Sequence, residues 1–227
     1  MPFPELGDRV AAIRARIDAA AQRGGHGQSV TIVAVTKTHG PEAVTAAFEA
    51  GLPDIGENRV QEALGKMDQV TAPVRWHLIG RLQRNKVRSL DRFSLFHALD
   101  SSRLADAVNR FGEERGSAID VLMQVNPAKE ETKGGYDMAV VATESSRLAG
   151  MKGLRVKGAM TVARFGADED ELRRTFAAVR ETRDILSSSG HPATELSMGM
   201  SDDFEIAVEE VATMVRLGSL LFGVREQ

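Results

Sequence analysis

The chain has 227 residues, with 29 Lys and Arg against 32 Asp and Glu, so its formal net charge is −3. It contains no cysteine, which excludes a disulfide scaffold, a thiolate nucleophile and a cysteine-ligated metal centre. The nearly balanced charge predicts no nucleic-acid or membrane partner, and 42% apolar residues are ordinary for a globular protein. We find no secretory signal and no apolar stretch long enough to span a bilayer, so a cytoplasmic protein is expected.

Short apolar runs alternate with amphipathic segments along the chain. The first helix is predicted over 5–23, where apolar residues recur at helical spacing until the glycines at 24, 25 and 27. The β-branched run 30–36 predicts a strand buried on both faces, and Pro41 opens the next helix, which Gly51 ends. Further strands are predicted near 53–56, 74–79, 94–98, 119–125, 155–161, 194–198 and 213–217. Further helices are predicted near 58–69, 82–90, 101–114, 137–149, 168–188 and 202–211.

Eight strand candidates separated by helical segments indicate a parallel α/β fold, and eight such units in about 200 residues favour a (β/α)8 TIM-type barrel. We therefore expect residues 1–227 to form a single domain. After the eighth strand too few residues remain for a normal helix, so the helix at 5–23 is expected to cover that gap. The alternative is an open, doubly wound sheet.

In such barrels the functional residues follow the carboxyl ends of the strands. The first strand runs directly into Lys37. An amine desolvated at the mouth of an apolar strand has a lowered pKa and can form a Schiff base with a carbonyl compound. The alternative is a lysine that merely extends from the barrel rim into solvent.

Polar residues also follow the second and third strands. Glu57 and Asn58 are candidates for ligand contacts, although Asn58 is also a suitable helix N-cap. His77, flanked by apolar residues, is a candidate ligand contact but is more typical of a structural histidine. No pair of histidines has a metal-ligand spacing, so we expect no metal site.

The segment 81–92 carries five basic residues and one acidic residue, a local net charge of +4. It lacks the interleaved aromatic residues that single-stranded nucleic acids stack on. A solvated basic helix is the favoured interpretation, and a surface for an anionic partner is the alternative.

Serine and glycine lie together at the ends of the last two strands. Ser197 precedes Gly199, and Gly218 precedes Ser219. Barrel phosphate sites are frequently built from the loops after strands seven and eight, where glycine lets backbone N–H groups approach closely. Together with Lys37, this pattern predicts a phosphorylated carbonyl compound held as an imine.

The chain resembles the pyridoxal 5′-phosphate (PLP) homeostasis proteins, the YggS/PROSC family, over essentially its whole length. The resemblance is carried by seven blocks in the same order: AVTKTH at 34–39, GENRVQE at 56–62, RWHLIGRLQRNK at 75–86, QVNPAKEETKGG at 124–135, GAMTVA at 158–163, LSMGMSDDFEIAV at 196–208 and RLGSLLFG at 216–223. It implies the PLP-binding barrel of the alanine racemase N-terminal type, with PLP as cofactor and a role in vitamin B6 homeostasis.

The resemblance also implies roles for individual residues. Lys37 would form the Schiff base, Ser197 and the Gly218–Ser219 backbone would hold the phosphate, and Arg216 would face the pyridine nitrogen. A protonated arginine cannot accept a proton from that nitrogen, so the cofactor would be a weak electron sink. Lys133 matches a lysine that would offer a second amine at the pocket entrance. Asn58, His77 and Met160 would line the cofactor pocket, and Met198 would lie beside the phosphate loop.

Three functions are weighed: a PLP carrier that buffers or delivers the cofactor, a PLP-dependent amino-acid racemase, and a Schiff-base aldolase that uses Lys37 alone. A racemase needs a second base, conventionally a tyrosine from an added domain. Tyr136 is the only tyrosine, and the chain ends ten residues after strand eight. The aldolase reading leaves Arg216 unexplained. We therefore expect a monomeric carrier without substantial turnover, with apo PLP-dependent enzymes as candidate recipients.

Overall fold

Eight parallel strands close into a barrel in the order β1 to β8, and helices lie between them. The computed structural model describes residues 3–128, 130 and 133–223. The strands are β1 (Thr31–Val35), β2 (Asp54–Glu57), β3 (Arg75–Leu78), β4 (Leu95–Leu99), β5 (Ile119–Gln124), β6 (Leu154–Met160), β7 (Glu195–Ser197) and β8 (Met214–Leu217). The α-helices are α1 (Leu6–Gly24), α2 (Pro41–Glu49), α3 (Val60–Met67), α4 (Ser102–Arg115), α5 (Val141–Ala149), α6 (Glu169–Ser188), α7 (Phe204–Glu209) and α8 (Ser219–Phe222).

All eight predicted strands and the closed barrel are confirmed, but two helical segments differ from the prediction. The segment predicted as a helix over 82–90 forms a 3₁₀-helix over Arg84–Arg92. Its buried residues, Val87 and Leu90, lie three positions apart, and this is the spacing that a 3₁₀-helix aligns on one face. The segment predicted over 137–149 begins with a short 3₁₀ turn at Met138–Val140 before α5.

The N-terminal helix takes the place of a full eighth helix, as predicted. The last helix, α8, is a single turn, and residues 224–227 lie outside the described residues. Helix α1 buries one face against the barrel and contacts both α7 and α8. Arg23 pairs with Glu209 of α7 at 2.6 Å, and Arg9 donates to the carbonyl oxygen of Leu221 at 3.1 Å. None of the helices in the described part of the chain combines the length and apolar character that a membrane span requires.

Strand register brings the ends of β1 and β8, and those of β6 and β7, together at one end of the barrel. Ala34 of β1 lies beside Leu217 of β8, and a Cβ at Gly218 would lie 3.3 Å from the carbonyl oxygen of Val35. The loop after β8 therefore lies directly against the end of β1. In the same way Met160, the last residue of β6, is paired with the last residue of β7.

Candidate functional site

Lys37 lies two residues beyond the end of β1, on a turn at the carboxyl end of the barrel. Lys37 is exposed, so the prediction that its amine is desolvated is wrong for this structure. The alternative, a lysine that extends from the barrel rim into solvent, is the one observed. Thr36 before it is fully buried, and Thr38 after it has a φ of 68°, which is uncommon for a β-branched residue. The turn thus presents an accessible primary amine on a defined backbone.

Glu57 does not face the open end of the barrel. Its side chain is buried, and its Oε1 atom lies 2.6 Å from Nζ of Lys66 in α3. Burial raises the pKa of the Glu57 carboxyl, although the hydrogen bonds from Lys66 and Thr36 oppose this. Glu57 therefore fastens α3 to the barrel, and the candidate ligand role is wrong for this residue.

A line of buried polar side chains crosses the barrel interior. Arg216 of β8 donates to Oγ of Ser197 at 2.6 Å, and this oxygen lies 2.9 Å from Nδ1 of His97. Nε2 of His97 lies 2.9 Å from Nδ1 of His77, and Nε2 of His77 lies 3.0 Å from a carboxylate oxygen of Asp54. We call these five residues the bore network.

The electrostatics of the bore network give each hydrogen bond a direction. Burial lowers the pKa of His97 well below its usual value, and the nearby His77 and Arg216 lower it further, so this ring is neutral. Burial opposes ionisation of Asp54, but hydrogen bonds from His77 and Arg75 outweigh it and its pKa lies below the ordinary value. Because the Asp54 carboxylate can only accept, Nε2 of His77 donates to it. A neutral His77 ring then accepts from His97, and His97 accepts from the Ser197 hydroxyl.

Arg216 is the cationic end of the bore network. Its guanidinium also donates to the carbonyl oxygen of Thr161, just after β6, at 2.7 Å. Burial lowers the pKa of Arg216 to about 10, so the side chain is still protonated at neutral pH. The barrel thus holds a fixed, buried cation, with hydrogen bonds on two of its nitrogen atoms.

His77 does not line the open end, and the expectation that it lines the pocket there is corrected. Both of its ring nitrogens are bonded within the barrel, and the residue borders a cavity of about 240 Å³ with Asp54, Glu195 and Met214, the first residues of their strands. That cavity is at the amino ends of the strands, opposite Lys37. The structural interpretation of His77 is the one that the contacts support.

The other predicted pocket residues lie at the carboxyl ends of their strands. Met160 ends β6, Ser197 ends β7 and Met198 follows it, and all three are buried. Gly218 precedes α8 and Ser219 begins it, so the Ser219 N–H has no acceptor within the helix. The hydroxyl of Ser197 is already shared with the bore network, so binding a phosphate would require its proton to leave His97.

Asn58 follows β2 and is half-buried. It is not the N-cap of α3, since Arg59 occupies that position and no side chain caps the helix. The backbone of Asn58 packs so closely on Gly80 that a Cβ there would lie 2.3 Å from the Asn58 carbonyl oxygen. Glycine at position 80 therefore allows the loops after β2 and β3 to meet at the mouth.

Asn58 borders a cleft of about 620 Å³ on the β2–β4 side of the mouth, which we call the rim cleft. Among the described residues that line it, Asp100 is the single carboxylate, and it lies 3.5 Å from Arg81. Part of the basic segment 81–92 thus lines a concave surface, while Arg88 and Arg92 are paired with acidic residues elsewhere. The cationic side chains lining the rim cleft are Arg59, Arg81, Arg84, Lys86 and Arg103.

Lys133 and Tyr136 lie in the β5–α5 connection, in which residues 129, 131 and 132 are outside the described residues. Nζ of Lys133 is 2.6 Å from Glu130 and 2.9 Å from the carbonyl oxygen of Ala163, just beyond β6. Its ammonium is therefore already bonded. The hydroxyl of Tyr136 is buried and donates to Glu144 at 2.9 Å.

Sequence reasoning missed His97, Asp54 and Lys66. His97 lies in an otherwise apolar strand, and His77 lies between Trp76 and Leu78 in the neighbouring strand. Two histidines among apolar residues of neighbouring strands are the available signal. Lys66 is four residues after Glu62 on α3, which indicates a helix ion pair but does not reveal that the lysine is buried.

The chain is a closed (β/α)8 barrel with an exposed lysine two residues after β1, and comparison with known families agrees with this class of barrel protein. The family model of the alanine racemase N-terminal domain matches residues 9–226. The chain is also similar to two proteins named pyridoxal phosphate homeostasis protein. That of Aquifex aeolicus is 38% identical over 96% of this chain and 98% of its own length, and that of Pseudomonas aeruginosa is 36% identical over 97% and 96%.

Solved structures give the same result. PipY of Synechococcus elongatus superposes with a TM-score of 0.87 without PLP and 0.85 with PLP bound, at 34% and 33% identity. Both comparisons cover 96% of this chain and all of PipY. The chain belongs to the family of pyridoxal phosphate homeostasis proteins.

Proposed function

We propose that this protein binds PLP as a Schiff base of Lys37 and buffers or delivers it, maintaining intracellular vitamin B6 homeostasis without substantial catalytic turnover. The observation that carries the proposal is the exposed Lys37 amine, presented at the barrel mouth beside the Gly218 loop. PLP-bound PipY and the names of the relatives support it.

The residues at the mouth fit this cofactor. PLP supplies an aldehyde that reacts reversibly with a primary amine, and Lys37 is such an amine within reach of solvent. Ser197 and the Gly218–Ser219 backbone would bind the phosphate through a hydroxyl and N–H groups. Arg216 would donate to the pyridine nitrogen. The proposed pocket lining is Asn58, Met160 and Met198.

Two features argue against efficient PLP chemistry. Arg216 is protonated and has no lone pair to accept a proton, so it cannot stabilise the protonated ring that a strong electron sink requires. Burial and the bond to Glu144 raise the pKa of the Tyr136 hydroxyl, so this tyrosine is held as a hydrogen-bond donor and not as a base. The PLP-dependent racemase remains the alternative, and turnover of any amino acid above about 1 s⁻¹ would favour it.

Delivery requires a recipient, and apo PLP-dependent enzymes are the proposed ones. A recipient would approach the open end of the barrel, where the rim cleft is lined by residues that follow β2 to β4 and the exposed Lys37 follows β1. The excess of cations in that cleft favours a recipient with an acidic surface, since complementary charge speeds encounter.

A transfer assay tests the proposal. PLP-loaded wild-type protein should activate an apo PLP-dependent enzyme, whereas Lys37→Ala should neither load nor transfer. Lys152→Ala is the matched control, because Lys152 is exposed just before β6, at the opposite end of the barrel. If Lys37→Ala transfers PLP as well as the wild type does, the proposed role of Lys37 is wrong.

A further inference from the structure

A buried lysine lies beneath the turn that carries Lys37. Lys66 is 5% exposed, and its Nζ atom has three acceptors, one for each ammonium proton. It donates to Oε1 of Glu57 at 2.6 Å, to Oε1 of Glu62 at 2.9 Å and to the carbonyl oxygen of Thr36 at 2.7 Å. We call Glu57, Glu62 and Lys66 the turn cluster.

The turn cluster binds the backbone on both sides of Lys37. On the preceding side, Lys66 holds the Thr36 carbonyl, and the Thr36 hydroxyl donates to Glu57 at 2.5 Å. On the following side, the backbone N–H of Thr38 donates to Oε1 of Glu62 at 2.6 Å. The positive φ of Thr38 is disfavoured for a β-branched residue, so these bonds hold a conformation that the peptide would not choose by itself.

Stability alone does not account for the turn cluster. Glu57 is buried, and its Oε2 atom has no hydrogen-bond partner among the described residues. Replacing a buried ion pair by apolar side chains is often neutral or stabilising, and an incompletely bonded one is worse still. The turn cluster is therefore better explained by the backbone that it positions, which is the turn that carries Lys37.

We propose that Glu57, Glu62 and Lys66 are positioning residues that fix the Thr36–Thr38 backbone and thereby orient the Lys37 amine toward an incoming aldehyde. The inference rests on the proposed function. In the step concerned, the neutral amine nitrogen adds to the aldehyde carbon, a C=N bond replaces the C=O bond, and the aldehyde oxygen leaves as water with the two protons of the amine. The turn cluster touches none of these atoms and acts only through the turn.

Two variants test the inference. Lys66→Met removes the ammonium and keeps a similar apolar length, and Glu62→Ala removes the Thr38 contact at a half-buried position where folding is less at risk. Lys152→Met is the matched control. For each protein, the rate constant of covalent PLP binding is measured from the visible absorption. The Kd of pyridoxine 5′-phosphate is measured as well, because this analogue has an alcohol in place of the aldehyde.

Both variants should bind PLP covalently at least about tenfold more slowly than the wild type, because small displacements of a reacting group cost this much. Their Kd for pyridoxine 5′-phosphate should stay within about twofold of the wild-type value, since the loops after β7 and β8, which are proposed to bind the phosphate, are not part of the turn cluster. The control should match the wild type in both measurements. If Lys66→Met fails to fold, Glu62→Ala alone decides.

Two results would overturn the inference. One is a rate of covalent binding in Glu62→Ala that equals the wild-type rate. The other is a parallel loss of covalent rate and analogue affinity, which would indicate a merely structural role. Failure of the proposed function is distinguishable, because the wild-type protein itself would then form no covalent bond through Lys37.

Discussion

Replacing His97 by leucine should destabilise the protein strongly, because this histidine is the centre of the bore network. Both of its ring nitrogens are bonded, to Ser197 and to His77, each at 2.9 Å, and the side chain is fully buried. Leucine would leave the Ser197 hydroxyl proton without its acceptor and His77 Nδ1 without its partner, while Oγ of Ser197 keeps its bond from Arg216. A buried group left unpaired costs about 1–3 kcal/mol, so two cost about 2–6 kcal/mol. This is a large part of a typical total of about 5–15 kcal/mol.

The free energy of unfolding is measured by urea titration of the apo protein. Trp76 is the only tryptophan and is buried next to His77, so its fluorescence reports on this part of the barrel. His26→Leu is the control, because His26 is exposed and its replacement should change the free energy by no more than about 0.5 kcal/mol. A cost below about 1 kcal/mol for His97→Leu would refute the assignment of the bore network.

Three further predictions follow from the same geometry. The native pKa of His97 lies well below its unfolded value near 6.5, so the protein takes up a proton when it unfolds below that pH. The free energy of unfolding should therefore decrease from pH 7 to pH 5, with a slope of up to about 1.4 kcal/mol per pH unit. Urea titrations at several pH values should show a smaller slope for His97→Leu. Gly80→Ala should lower the free energy of unfolding by about 1–3 kcal/mol in the same titration, because the new Cβ would overlap the Asn58 carbonyl. Gly65→Ala, which places a Cβ in open space on α3, should not destabilise the protein, and equal effects of the two substitutions would contradict this prediction. Ser197→Ala should weaken the binding of PLP about tenfold more than the binding of pyridoxal, which lacks the phosphate. If equilibrium titrations show an equal loss of affinity for the two ligands, Ser197 acts only through Arg216.

The barrel could be predicted from the sequence because its strands are short apolar runs with helical spacing between them. The run 30–36, for example, contains β1 with one extra residue at each end. The type of the helix at 84–92 could not be predicted, since two buried residues three positions apart fit either kind of helix.

The placement of residues at the open end of the barrel can also be predicted from the sequence. Once the strands are placed, the residues that end or follow them must share one end of the barrel, as Lys37, Asn58 and Ser197 do. The hydrogen-bond partners of such residues cannot be predicted in this way, because those contacts depend on barrel register and on which side chains point inward. His97 and Ser197 are 100 residues apart in sequence, and nothing local to either indicates the bond.

The buried pair of Glu57 and Lys66 also could not be predicted from the sequence. A glutamate at a strand end and a lysine on a helix are each typical of exposed or ligand-facing positions. Only the packing of α3 against β2 shows that the two form a buried pair under the Lys37 turn.

The central claim is that Lys37 is the residue that holds PLP. The most direct measurement is to treat the wild-type protein with PLP, reduce it with borohydride and locate the modified residue by peptide mass spectrometry. One pyridoxyl phosphate group per chain, attached to Lys37, is the expected result. Modification of Lys133 or another lysine in place of Lys37, or a protein with no reducible adduct, would contradict it.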